Sequence, residues 1–163
     1  MRLFIAVNLT QELQKSVTET LHELKKKGVK GSYVPAKNLH LTLAFIGEQK
    51  NAEAVIEAMK TISYNSFSLS FSEMGSFGDL LWIGAKGKQG LSRLVKDIRD
   101  ALDAAQIPYD RKKFVPHITI IRKMNGKWQQ VKPPKGEMKV TKISLMRSDV
   151  KDGKRIYTEI FSV

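Results

Sequence analysis

Two short runs in this sequence carry side chains that could do chemistry together: His40-Leu41-Thr42 and His117-Ile118-Thr119. Each sets an imidazole two positions before a hydroxyl. Each is framed by apolar residues, in Leu39-His40-Leu41-Thr42-Leu43 and Pro116-His117-Ile118-Thr119-Ile120. Two imidazoles facing one pocket suit acid–base catalysis of phosphoryl transfer. One, neutral, takes a proton from the attacking oxygen while the other, protonated, gives one to the leaving oxygen. An unperturbed imidazole pKa of about 6.5 lets both forms exist near neutral pH. Threonine hydroxyls can donate to the non-bridging phosphoryl oxygens. Such chemistry needs no metal or other cofactor when the substrate is already strained and monoanionic, as a ribose 2′,3′-cyclic phosphate is. Other chemistries fit less well. Two imidazoles are a sparse metal site, and neither run has a nearby carboxylate or a His-x-x-x-His spacing. There is no Gly-x-Ser-x-Gly elbow, and with no cysteine there is no thiolate nucleophile.

Both runs fall in segments that read as strands, Leu39–Ile46 and Val115–Ile121. A strand alternates its faces, so His40 and Thr42 share one side and Leu41 and Leu43 the other. His117 and Thr119 share a face in the same way, backed by Ile118 and Ile120. The third histidine, His22, falls opposite the apolar stripe of its helix and receives no role.

Around these strands the periodicity predicts three helices. The first follows Thr10 as N-cap, with Leu13, Val17, Leu21 and Leu24 on one face, and ends at Gly28. The second follows Asn51, with Val55, Ile56, Met59 and Ile62 inward. The third runs from about Leu91 to Ala105. Further strands are expected at Leu3–Val7, Phe67–Phe71, Leu80–Ala85, Val140–Met146 and Ile156–Val163, with a turn at Lys151-Asp152-Gly153-Lys154 and a loop over Asn125–Gly136. Several neighbouring strands have connections too short for parallel crossovers. That favours an α+β fold with mostly antiparallel sheets.

A chain of 163 residues, 42% hydrophobic, suits one folded domain and is too apolar for disorder. Charge is unevenly spread. Residues 1–106 carry 14 basic and 11 acidic side chains, a net +3, whereas residues 107–163 carry 14 and 5, a net +9. A positive field concentrated in one region attracts polyanions, nucleic acid among them. The apolar start of the chain is too short for a signal-peptide core or a membrane span. A cytoplasmic protein with no membrane partner is the expectation, and the missing cysteines suit a reducing compartment.

With these residues in view, the sequence resembles the 2H phosphoesterase superfamily, and within it the RNA 2′,3′-cyclic phosphodiesterases once called 2′-5′ RNA ligases. The likeness covers essentially the whole chain. It runs from Arg2-Leu3-Phe4-Ile5-Ala6 through Asn38–Gly47 and Phe114–Arg122 to Ser148 and Tyr157. It implies a bilobal α+β domain over residues 1–163, in which two similar halves, each with a mostly antiparallel sheet and flanking helices, hold one His-x-Thr strand apiece across a central cleft. It further implies a monomer that hydrolyses RNA ends bearing a 2′,3′-cyclic phosphate, tRNA halves among them, to 2′-phosphates. By the same resemblance His40 is the proton donor, His117 the proton acceptor, and Thr42 and Thr119 hold the phosphate. Arg122 matches a basic position that meets substrate phosphate. Phe4 and Phe45 are candidates for stacking on a base. Met146-Arg147-Ser148 departs from relatives that carry Leu-Tyr before the serine, which bears on substrate preference and leaves the chemistry intact. Three other readings stand beside this one: reversible 2′-5′ RNA joining, action on small cyclic nucleotides or 2′-5′ oligoadenylates, and an RNA-binding module without turnover. A binding module would have no use for paired proton donors and acceptors.

Overall fold

The apolar opening of the chain becomes β1 (Arg2–Asn8), buried from Leu3 to Val7, in a computed structural model that describes residues Met1–Val163. Burial on both faces tells why it has no polar alternation: it lies between two other strands, with one sheet face on the main core and the other on the site described below. Next come α1 (Gln11–Lys26), β2 (Lys30–Tyr33), β3 (His40–Glu48), α2 (Glu53–Lys60), β4 (Phe67–Phe77) and β5 (Leu80–Lys86). They are followed by α3 (Lys88–Ala104), β6 (His117–Asn125), β7 (Glu137–Val140), β8 (Ser144–Lys151) and β9 (Lys154–Ser162). No helix is long and apolar enough to cross a membrane.

The strands form two sheets, in the orders β3-β1-β8-β9 and β2-β6-β5-β4-β7, and every pairing is antiparallel. Each sheet carries one His-x-Thr strand, β3 in the first and β6 in the second. One buried cluster serves both, joining Leu3, Ile5 and Leu41 to Leu81, Ile83 and Ile118 with the apolar stripes of α1 and α3. Sidedness keeps the helices in place: Leu13, Val17, Leu21 and Leu24 are buried on α1, as its period of 3.6 requires. The Thr10 hydroxyl accepts a hydrogen bond from the Leu13 amide at 3.4 Å, and Gly28 leaves α1 at φ +81°. His22 is exposed.

Three local expectations differ from the fold. The segment Val140–Met146 is not one strand. Val140 ends β7, opposite Phe67 in the second sheet, and Ser144 starts β8, opposite Ala6 in the first. The chain crosses between sheets at Thr141–Ile143, and Ile143 is pinned by two backbone hydrogen bonds to Val163. β4 runs on to Phe77 because a bulge between Phe71 and Met74 absorbs the break in alternation at Ser72-Glu73. Lys30–Tyr33 forms a short edge strand, β2, that pairs with β6.

Candidate active site

The two His-x-Thr strands are irregular at the same place. Along β3, Thr42 lies opposite Ala6 but Ala44 lies opposite Ile5, so Leu43 is an extra residue. Along β6, Thr119 lies opposite Trp82 but Ile121 lies opposite Leu81, so Ile120 is extra. A bulge reverses the alternation beyond it. Before the bulges, His40 and Thr42, and likewise His117 and Thr119, face the cleft while Leu41 and Ile118 are fully buried. After them, the residue five places beyond each histidine rejoins the histidine's face. Those residues are Phe45 and Arg122, and strict alternation would have turned both away.

Each imidazole is held from behind in the same manner. Nδ1 of His40 lies 2.7 Å from the carbonyl oxygen of Asn38, and Nδ1 of His117 lies 2.7 Å from that of Val115. A carbonyl oxygen only accepts, so Nδ1–H donates in both. The neutral rings therefore carry their proton on Nδ1 and leave Nε2 free to take or give one. Aromatic neighbours fix the ring planes. His40 has Phe4 at 5.0 Å and Tyr157 edge-on at 5.2 Å between ring centroids. His117 has Phe77 edge-on at 5.2 Å and Trp82 at 6.5 Å. Contacts of this kind are each worth about 0.5–1.5 kcal/mol beyond the area they bury.

The site also acts on the charge of His40. Burial is the largest influence and pushes its pKa below the usual 6.5, while the hydrogen bond to the Asn38 carbonyl opposes this. The positive charge of Arg122, and a proton on His117 when that ring carries one, push it lower still, as groups within electrostatic reach of His40 across the cleft must. β3 and β6 make contact there, at the seam of the two sheets. In a proton NMR titration His40 should therefore titrate below 6.5 in the free protein. Arg122→Ala should recover part of the shift, and a bound phosphomonoester dianion should raise the value. A free-protein value at or above 6.5 would contradict this account. Linkage has a definite sign. The folded state binds fewer protons at His40 than the unfolded chain does, so this group weakens stability as pH falls through 6.5 and below.

The structure sets His40, His117 and Arg122 within electrostatic reach of one another at the seam of the sheets, with Thr42 and Thr119 on the same strand faces as the histidines. Phe4 and Phe45 stand on the same face of the first sheet, in a small apolar cluster with Ala6, Met146 and Tyr157 apart from the main core. Phe4 keeps 4% of its surface and rests on His40. Phe45 is half-buried, with the Arg2 guanidinium 5.0 Å above its ring. Sequence reasoning missed Phe77 and Trp82. Their only local signal was their place either side of the Gly78-Asp79 turn. What brings them to His117 is the pairing of β5 with β6, which sets Trp82 opposite Thr119. No group of three or more His, Cys, Asp or Glu side chains converges as a metal site would require.

Comparisons with known proteins agree with this arrangement. Residues 10–152 match the model of the 2′-5′ RNA ligase superfamily. The chain is 31% identical to the RNA 2′,3′-cyclic phosphodiesterase of Thermotoga maritima, over 80% of this chain and 75% of that one. It is 32% identical to the Aquifex aeolicus protein of the same name, over 90% and 89%. Among solved structures, apo Escherichia coli LigT superposes with a TM-score of 0.83 at 27% identity, covering 99% of this chain and 95% of that one. LigT complexed with 3′-AMP superposes at 0.78 and 28% identity, covering 99% and 95%. With the family model spanning most of the chain and both His-x-Thr strands lying inside the match, this protein belongs to the 2′-5′ RNA ligase superfamily.

Proposed function

We propose that this protein hydrolyses RNA 2′,3′-cyclic phosphate ends to 2′-phosphomonoesters, with His40 as proton donor and His117 as proton acceptor. The observation that carries the proposal is the pair of imidazoles in one cleft, each anchored through Nδ1 with Nε2 left to exchange protons. His117 takes a proton from water as the water oxygen attacks phosphorus. The bond from phosphorus to O3′ breaks, and His40 gives its proton to the departing oxygen. The 2′ ester survives, so the product is a 2′-phosphate beside a free 3′-hydroxyl. Thr42 and Thr119 donate to the non-bridging oxygens, and Arg122 offsets their charge. The curated relatives bear the name of this activity, and one solved relative holds 3′-AMP.

The depressed pKa of His40 sits well with a donor that is loaded together with its substrate. In the free cleft, burial and the neighbouring Arg122 guanidinium disfavour the imidazolium. A bound phosphodiester anion reverses the sign of that field and favours it. Phe4 takes the part of a buried backstop for this ring, and Phe45 lies farther along the same wall as a candidate contact for the RNA. The basic stretch from residue 107 to 163 attracts the polyanion. Acting as a monomer in the cytoplasm, with tRNA halves among its substrates, completes the reading. With a ribose hydroxyl in place of water as the attacking group, and O3′ leaving as before, the same groups would join RNA through a 2′-5′ bond. Water at about 55 M outcompetes a hydroxyl unless two ends are held in place.

Incubation in EDTA with an oligonucleotide ending in a 2′,3′-cyclic phosphate tests the proposal. A 2′-phosphate product is expected. A 3′-phosphate would overturn the assigned leaving group, and RNA binding without turnover would overturn the hydrolase reading.

A further inference from the structure

The hairpin of β8 and β9 carries positive charge that the fold leaves unpaired. Tyr157 of β9 stands edge-on to His40, at 5.2 Å between ring centroids. Two residues nearer the turn on the same strand is Arg155. The ladder is regular here, with Ser148 opposite Tyr157 and Val150 opposite Arg155. Arg155 therefore projects from the same face as Tyr157, about 7 Å farther along it. Its backbone is tied to the site as well. The Arg155 carbonyl oxygen accepts a hydrogen bond from Nδ2 of Asn38 at 3.4 Å, and the Asn38 carbonyl is the one that holds Nδ1 of His40. Asn38 is buried, so hairpin and histidine are joined through a side chain shielded from water.

The guanidinium itself is free. Arg155 is exposed and enters none of the ion pairs, and the same holds for Lys37, next to Asn38 in the chain. Asp149 of β8 does not compete for it. Its carboxylate is held by Arg147 at 3.1 Å, and both stand on the opposite face of the hairpin. Val150, across from Arg155, keeps 70% of its surface, so this end of the face is uncovered. An open, unpaired guanidinium suits a phosphate, whose oxygens it can meet with two parallel N–H groups.

The connectivity of ribose indicates which phosphate arrives there. With O3′ of the scissile ester at His40, C3′ lies beside that ring, and C4′, C5′ and O5′ follow from C3′. The phosphodiester on O5′ thus leaves the cleft on the His40 side, one sugar away from the reacting phosphorus. We infer that Arg155, with Lys37 in support, binds the phosphodiester on the 5′ side of the terminal nucleotide. The inference rests on the function proposed above and narrows its substrate. RNA ends are favoured over nucleoside 2′,3′-cyclic phosphates, which lack that phosphodiester.

Three substrates separate this role from mere support of Asn38 and Tyr157: adenosine 2′,3′-cyclic phosphate, the diadenosine ApA 2′,3′-cyclic phosphate, and ApA 2′,3′-cyclic phosphate with an uncharged methylphosphonate linkage. For Arg155→Ala, kcat/KM on the charged dinucleotide should fall about 5- to 30-fold further than on the mononucleotide. The methylphosphonate substrate should show no such extra loss, because the charge that Arg155 meets is gone. Arg155→Lys should restore part of the difference, with the charge kept and the planar fork lost. Equal losses on all three substrates would reduce Arg155 to a brace for the hairpin and overturn the inference, as would no loss on the charged dinucleotide. Binding of the three 2′-phosphate products, measured calorimetrically on the same variants, gives the same comparison without turnover. If the unsubstituted protein turned over none of the three, the hydrolase reading would fall, while the binding ratio would still decide the subsite.

Discussion

Replacing His40 or His117 with alanine should lower turnover of an RNA 2′,3′-cyclic phosphate by about 10²- to 10⁴-fold, the usual scale of a general acid or base. Neither change should unfold the protein. Both rings are only partly buried, and what each loses is one Nδ1 hydrogen bond and ring contacts with two aromatic side chains. The double variant should be little worse than the poorer single one, because an acid and a base that act in one proton-transfer step lose their effect together. Single-turnover kinetics on the three variants, with thermal melts as control, would check this. A loss below about 10-fold for either histidine would remove it from the proton-transfer pair.

One residue farther along each strand, the expected effect changes kind. Leu41 and Ile118 are fully buried, opposite Val7 and Ile83, and sit on the core faces of the strands whose other faces bear the histidines. Truncation to alanine should cost about 2–5 kcal/mol in lost transfer energy and residual cavity. Against a total stability on the order of 5–15 kcal/mol, that is a large share. At roughly 2–4 °C per kcal/mol for a chain of this size, melting should fall by about 4–20 °C. Turnover per folded molecule should stay close to that of the parent. The contrast between His40→Ala and Leu41→Ala tests the alternation of the strand directly. A Leu41→Ala protein that melted normally but had lost activity would show that the faces are wrongly assigned.

Much of this was legible before any tertiary contact was known. Alternation is a property of an isolated strand. Thus the common face of His40 and Thr42, and of His117 and Thr119, followed from spacing alone, as did their apolar anchoring. The stripes of α1 and α3 and the cap at Thr10 are equally local. The pairing of two such motifs limited the chemistry to proton transfer around an anion, and resemblance carried it to a cyclic phosphate.

Other features depended on which strands pair. Phe45 and Arg122 join the site only because the bulges at Leu43 and Ile120 reverse the alternation after each threonine. A bulge is set by the ladder to β1 or β5, and no residue within β3 or β6 announces it. The split of Val140–Met146 has the same origin. Those residues suit a strand throughout, but Val140 finds its hydrogen bonds in one sheet and Ser144 in the other. Phe77 and Trp82 reach His117 across strands some forty residues away in sequence, which local periodicity does not encode. The sequence by itself determined the candidate reacting groups and the faces they stand on. The tertiary structure decided which charge and which aromatic rings surround them, because backbone pairing between distant strands sets register, and register decides what shares a face.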